Sequence, residues 1–486
     1  MLRITPGPAH PLHSLAATRQ LEATAAASLP PHTLMQRAGL ATARLTLALA
    51  PHARHIWIAC GPGNNGGDGL EAAMQLQRMG KTPVVTWLGA TQTAPADAAA
   101  SHARALAAGV TFATAPPLEC DLCIDALLGM GASRPAQGLM VDWIAHINAL
   151  DAPVLAIDLP SGLNADTGAV IGPCVIASHT LSLLTLKPGL FTGMGRDQSG
   201  QVWFQSLHHE SSDPTLNPAE PCAVLNAAPI QRLRTHASHK GSYGDVAIMG
   251  GAPGMTGAAL LAARAALHHG AGRVFVGLLD GGAMTVDPSQ PELMFRPIDT
   301  LEAANMTVVC GCGGGTAIAA HLGKILSTAP RLVIDADALN LIAVDAQLEK
   351  LLKARQSRNR LTVLTPHPLE AARLLGTSTS EIQHNRLAAA EQLTQRMGCT
   401  VVLKGSGTII ASPGERSVIN PTGNARLATA GTGDVLAGMI GARLAAGVST
   451  PSAAHQTACE VVYEHGLKAD RWPADQPMTA GALARY

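Results

Sequence analysis

Aromatic residues are scarce in this chain of 486 residues, at 3%. That is too few for the stacked platforms on which single-stranded nucleic acids lie. Charge is also scarce, at 14% of residues against about 25% in average usage, and 34 basic residues balance 34 acidic ones. With no overall basic field, neither nucleic acid nor an anionic membrane is expected as a partner. The opening MLRITPGPAHPLHSL has no apolar centre of the kind a secretory signal needs, and export is not expected. Two long uncharged stretches, Gly168 to Leu186 and Ala303 to Gly323, are broken by Gly172-Pro173 and by Gly311 to Gly315, so neither reads as a membrane span.

Cysteine is present in an odd number, nine. Several lie inside apolar runs, as reduced, buried thiols do, and a cytoplasmic location is expected. Cys120 and Cys123 form a lone CxxC with no second pair or HxxxH beside it, which favours buried strand cysteines over a zinc or redox pair. The length predicts two or three domains, and the many glycines point to close-packed turns and small-molecule ligands.

The least core-like stretch is His208 to Pro221, HHESSDPTLNPAEP. A linker is expected at 211–221, with one domain over 1–210 and another over 222–486. Apolar runs at Ile56 to Ala59, Val84 to Leu88, Leu122 to Ala126 and Val154 to Ile157 alternate with helix-like segments. So do Val246 to Met249, Val274 to Leu278, Thr307 to Cys310, Leu332 to Ile334, Leu361 to Leu364 and Thr400 to Leu403. Each half therefore reads as an α/β domain of three layers, α/β/α, around a parallel sheet.

In the first half, IWIACGPGNNGGDGLEAAMQLQRM reads as a strand, a loop with five glycines in nine residues, and a helix from about Leu70. Glycines let a backbone approach an anion, and a helix start offers free N–H groups to phosphate; a plain tight turn is the alternative. Two further strands end in DALLGMGASRP and DLPSGLNADTG, which puts Asp125 and Asp158 where ligands of open α/β sheets lie, or makes them caps and turn formers.

These three motifs resemble those of the YjeF N-terminal domain family, the NAD(P)H-hydrate epimerases, over about Leu12 to Val202. The resemblance implies a Rossmann-like fold. It also implies that Asn64, Asn65, Gly66, Gly67 and Asp68, the loop Gly129, Met130, Gly131, Ala132, Ser133, Arg134 and Pro135, and Asp158 hold the hydrated nucleotide. A K⁺ ion would be bound by Asn65, Asp125 and Ser161, with Asp125 the best candidate for the acid/base group. Lys187, in KPGLFTGMG, is expected either to touch substrate or to cap a surface.

In the second half, NPTGNARLATAGTGDVLAG ends in Gly431-Thr-Gly-Asp434 opening an apolar helix. That pattern suits an anion hole with a base, or only a helix cap. Lys404-Gly-Ser-Gly-Thr408 follows a strand and suits a nucleotide phosphate, while Thr365-Pro-His367-Pro puts an imidazole, or a turn histidine, on the same edge. With SHKGSYGDVAIMGG, DADALN and TPHPLEAARLL these resemble the ribokinase-like ADP/ATP-dependent NAD(P)H-hydrate dehydratases from roughly Ile230 onward. The resemblance implies that Ala258, Gly313 and His367 contact the hydrate, that Lys404, Gly405, Ser406, Gly407, Thr408 and Gly433 hold the adenine nucleotide, and that Asp434 is the base. Its position at a helix start is expected to keep it ionised. Cys310-Gly-Cys312-Gly-Gly-Gly315 departs from the family's more common Gly-Pro-Gly-Leu-Gly, and loss of the proline is expected to loosen that loop.

Together the resemblances imply a bifunctional enzyme acting on hydrated NADH and NADPH, an isomerase joined to a lyase. ADP or ATP is expected as cosubstrate, with Mg²⁺, and the enzyme is expected to be a homo-oligomer. The rivals are a ribokinase-like vitamin-precursor kinase and a first half that binds nucleotide without catalysis.

Overall fold

The computed structural model describes residues 1–90, 92–131, 134–170, 172–207, 219–230 and 234–486. The chain divides into two compact units, Met1–Thr5 with His10–Ala223 and Pro6–Ala9 with Val224–Tyr486. The expected linker lies largely outside the described residues. A detail invisible in the sequence is that Pro6–Ala9 goes with the second unit, where Gly7 bridges to Ala227 and its carbonyl accepts the Ala228 N–H at 2.7 Å.

The first unit is built on a sheet ordered Leu2–Arg3, Gln201–Gln205, His179–Leu183, Val154–Ile157, Leu122–Ala126, His55–Cys60, Thr82–Trp87 and Thr111–Phe112. All neighbours are parallel except the first pair. His55–Cys60 shows why its run is continuously apolar: Ile56, Ile58 and Cys60 enter one buried cluster, Trp57 and Ala59 the cluster on the opposite face. A strand covered on both sides has no polar face to show. After Thr111–Phe112 the chain returns to Leu122–Ala126, on the other side of His55–Cys60. That reversal of strand order opens a crevice at the carboxyl ends of these two strands.

The glycine-rich segment corrects the expectation of a loop. The helix spans Asn64–Arg78, so NNGGDG forms its first turns. None of these glycines has positive φ. They are small for packing: a Cβ on Gly66 would overlap the Gly61 carbonyl, on Gly67 the Met35 side chain, and on Gly69 Ala126 and Cys60.

The second unit repeats the plan with the strand order Met294–Phe295, Arg273–Leu278, Asp245–Gly250, Thr307–Cys310, Arg331–Ile334, Leu361–Leu364 and Thr400–Leu403, all parallel, followed by antiparallel Ile409–Ala411 and Ser417–Ile419. Its switch point lies between Asp245–Gly250 and Thr307–Cys310. The apolar helix Thr432–Ala445 is buried there, with Gly438 against the Ala262 carbonyl and Gly441 against Val309. Among the described residues no helix is long and apolar enough to cross a membrane.

Candidate active sites

In the first unit a cavity of about 580 Å³ opens at the switch point. Asn64, Asn65 and Asp68 reach it from the helix, Gly129, Met130 and Gly131 from the loop after Leu122–Ala126, and Asp158 from the end of Val154–Ile157. Gly66 and Gly67 are packing residues instead, and Arg134 and Pro135 are exposed and do not line the cavity. Ala132 and Ser133 lie outside the described residues.

Asp125, the expected acid/base group, is 1% exposed and is not among the residues that line the cavity. Its Oδ1 accepts the Ser161 hydroxyl at 2.6 Å and the Leu127 N–H at 3.1 Å, and its Oδ2 accepts the Ser161 N–H at 2.8 Å. Burial pushes its carboxyl up to about 6 against the pull of these donors. Asn65 donates to the Ile157 carbonyl at 2.8 Å, while its buried Oδ1 has no hydrogen-bond partner. Asp125 and Ser161 are thus a buried, mutually bonded pair of oxygen donors and Asn65 Oδ1 is a buried acceptor left unmet, a chemistry that fits a hard cation.

Lys187 does not cap a surface. Fully buried, it ion-pairs with Asp158 and donates to the Leu183 carbonyl at 2.8 Å. Asp158 is itself held in a left-handed backbone conformation, φ 67°. The sequence reading also missed Glu22 and Asp97, which line the same cavity from helices Leu15–Ala27 and Ala96–Ala107. No motif marks either, because they are lone carboxylates on otherwise ordinary helices.

In the second unit the site residues converge at the carboxyl edge of the sheet. Asp434 is half-buried at the third position of its helix. Its carboxyl is pushed up to about 6 by burial first and by the Asp335 carboxylate next. That reverses the direction expected from the helix dipole alone: desolvation beside a like charge outweighs the helix end. Lys404 donates to Asp335 Oδ1 at 2.6 Å and lies 3.9 Å from Glu370 Oε2. Burial alone would lower this ammonium, but the two carboxylates outweigh it and hold it above its usual value. A Cβ on Gly433 would stand 3.3 Å from Lys404 Nζ, so the Lys404 loop and the Asp434 helix start meet. Arg386 braces that loop from inside, donating to the Leu403 and Lys404 carbonyls at 3.2 Å.

His367 caps helix Pro368–Leu375. Its Nδ1 accepts the Leu369 and Glu370 N–H groups at 3.1 and 3.3 Å, and its own N–H donates to Glu370 Oε2 at 2.7 Å. With Nδ1 so used, the ring proton belongs on Nε2, 3.3 Å from Glu370 Oε1. Burial and Lys404 lower its pKa, so it stands as a neutral donor and is a poor base. Burial lifts Glu370 to about 7 against the pull of Lys404. Glu370 and Asp335 were passed over in the sequence, although the His367-x-x-Glu370 spacing is that of a capping box.

Gly313 and Ala258 come together: a Cβ on Gly313, whose φ is 58°, would meet the Met255 carbonyl and Ala258. The loop around Cys312 is not slack. The Gly313 carbonyl accepts the Ala252 N–H at 2.7 Å, Gly314 N–H donates to the Gly311 carbonyl at 3.0 Å, and Gly315 N–H to Asp337 at 2.8 Å. Backbone bonds do here what a proline ring would otherwise do.

The chain is 36% identical to the bifunctional NAD(P)H-hydrate repair enzyme Nnr of Escherichia coli (strain K12), over 92% of this chain and 87% of that one. The chain belongs to the bifunctional NAD(P)H-hydrate repair enzymes. Another repair enzyme of this family, from Coxiella burnetii (strain RSA 493 / Nine Mile phase I), is 36% identical over 96% of this chain and 95% of its own length. Two family models match, YjeF-related protein N-terminus over residues 31–189 and NAD(P)H-hydrate dehydratase over residues 246–485. Each falls within one unit. The crystal structure of ADP/ATP-dependent NAD(P)H-hydrate dehydratase from Bacillus subtilis, co-crystallised with ATP/Mg²⁺, is 28% identical, covering 52% of this chain and 91% of that one, with a TM-score of 0.43.

Proposed function

We propose that this chain restores hydrated NADH and NADPH in two steps, the first unit interconverting the R and S hydrates and the second removing water from the S hydrate with ADP or ATP. The observation that carries this is a match to bifunctional repair enzymes along almost the whole chain, with a carboxylate-bearing site at the switch point of each unit.

The hydrate carries its hydroxyl on a ring carbon next to nitrogen. Loss of water leaves an iminium, and readdition of water scrambles the configuration, so the first unit needs to hold the nucleotide and move protons. Asn64, Asp68 and Asp158 with Gly129, Met130 and Gly131 would hold it, and Asn65, Asp125 and Ser161 would hold K⁺. When bound, K⁺ supplies a fixed positive charge beside the cavity.

In the second unit Asp434 accepts the proton of the ring hydroxyl as its oxygen attacks the terminal phosphoryl group of the nucleotide. Phosphate then leaves the ring carbon with its bonding electrons, and loss of the neighbouring C–H proton forms the double bond of NADH or NADPH. Lys404 to Thr408 and Gly433 hold the nucleotide, while Ala258, Gly313 and the His367 Nε2–H position the hydrate. Asp335 is already engaged by Lys404 and Thr365, and Asp337 by Gly315. Cys312, within 4.8 Å of Asp335 and Asp434, offers a soft sulfur unsuited to Mg²⁺. No protein ligand set is therefore assigned to Mg²⁺, which would arrive on the nucleotide phosphates.

Nine cysteines with no disulfide among them favour the cytoplasm, and Gly/Ala-rich helices favour a homo-oligomer. Incubation with mixed R and S hydrates plus ADP or ATP, followed by nicotinamide absorbance, should recover both epimers. Recovery of only the S share would remove the first step, and a phosphorylated vitamin precursor as product would favour the kinase rival.

A further inference from the structure

Four carboxylates line the first cavity, Glu22, Asp68, Asp97 and Asp158, and their partners differ. Asp158 has the fully buried Lys187 ammonium as counter-charge and accepts the Leu183 N–H at 3.1 Å. Asp97 pairs with His32 at 2.5 Å. Asp68, half-buried on the Asn64–Arg78 helix, has no ion pair or side-chain hydrogen bond among the described residues. The charges around it are Asp158, Glu22, Asp97 and, on its own helix, Glu71, which is satisfied by Arg104 and Ser101. Of the nearby cations, Arg19 lines the same cavity and acts on Glu22, and Lys187 acts on Glu22 and is paired with Asp158. The geometry points to Asp68 as the proton donor of R/S interconversion, with Asp158, paired to Lys187, as the proton acceptor. This inference rests on the epimerase activity proposed above. Desolvation, followed by repulsion from the surrounding carboxylates, raises Asp68 well above the usual carboxylate range, the direction that favours a general acid.

The step balances. Asp68 gives its proton to the ring hydroxyl, the carbon–oxygen bond breaks, and the ring nitrogen lone pair forms the iminium as one water is released. A water then adds to that carbon, its proton passes to Asp158, and return of this proton to Asp68 through cavity water resets the pair. The opposite direction uses the two carboxylates in exchanged roles.

The test is Asp68→Asn in the full chain, with S-hydrate consumption by the second unit as internal control. Two readouts serve: R/S interconversion, and incorporation of ¹⁸O from labelled water into the hydrates. General acid catalysis is worth roughly 10²–10⁴-fold, so kcat for both should fall by that order with KM little changed, and the wild-type decline at alkaline pH should vanish. Interconversion within about threefold of wild type, or a loss confined to KM, would overturn the assignment. If the wild-type chain itself failed to interconvert the hydrates, the epimerase reading would fall instead.

Discussion

A carboxylate beside another carboxylate at a dry sheet edge is costly to keep ionised, and Asp434 occupies such a place. With its carboxyl near 6, the base is ionised above that pH, so NADH production should rise through pH 6 and level off above it. Asp434→Asn keeps the shape but cannot take a proton; turnover should fall about 10²–10⁴-fold with nucleotide affinity little changed. The sign for stability is opposite. A folded-state value above the unfolded one means that the ionised group opposes folding at neutral pH and that this cost is relieved as pH drops through 6. The Asn variant should therefore melt no lower than wild type at pH 7, and a clear drop in Tm would show that the carboxylate has a structural role. At the other site, Asp125→Ala removes a cation ligand while leaving the second unit intact. S hydrate should still be consumed while R hydrate lags at its spontaneous rate, and normal R consumption would remove Asp125 from the mechanism.

Helices here are placed by what their glycines omit. Gly438 lies where Thr432–Ala445 crosses the Ala262 carbonyl, and a methyl group there would overlap backbone. Gly438→Ala should cost on the order of 1–3 kcal/mol, as overpacking does, and lower the denaturation midpoint. Gly257, in the first turn of Thr256–His268, faces open space without positive φ. Gly257→Ala should be neutral or stabilise by up to about 1 kcal/mol through helix propensity; equal effects at both positions would refute packing as the cause. The same distinction explains the error over NNGGDG. Five glycines in nine residues read locally as a loop, whereas three of them, Gly66, Gly67 and Gly69, lie in the helix where it closes on Gly61, Met35 and Ala126.

Each unit has its own sheet and switch point, so a chain cut within 211–221 should yield two pieces that each retain activity. The second piece, separated from Pro6–Ala9, should be somewhat less stable because it loses the bridge to Ala227. Aggregation of both, with no activity on remixing, would refute independent units. Ten strands were legible as apolar runs because both faces are buried in most of them, Thr82–Trp87 and Arg273–Leu278 keeping one face partly exposed. Thr111–Phe112 and Met294–Phe295 were not, since two-residue edge strands carry too little pattern. His179–Leu183 was hidden because its Thr180 and Ser182 are buried by hydrogen bonds to Ser199 and Thr185 carbonyls rather than by apolarity. The sequence alone determined the alternation of strand and helix, the two sets of motifs and the family they resemble, because local periodicity and strand-end residues are written in neighbouring positions. Tertiary structure decided which charges meet: Asp335 with Lys404, Asp158 with Lys187, and Asp68 with the Asp158, Glu22 and Asp97 carboxylates. Proton affinity depends on desolvation and on neighbours brought from distant strands, and no local spacing records either.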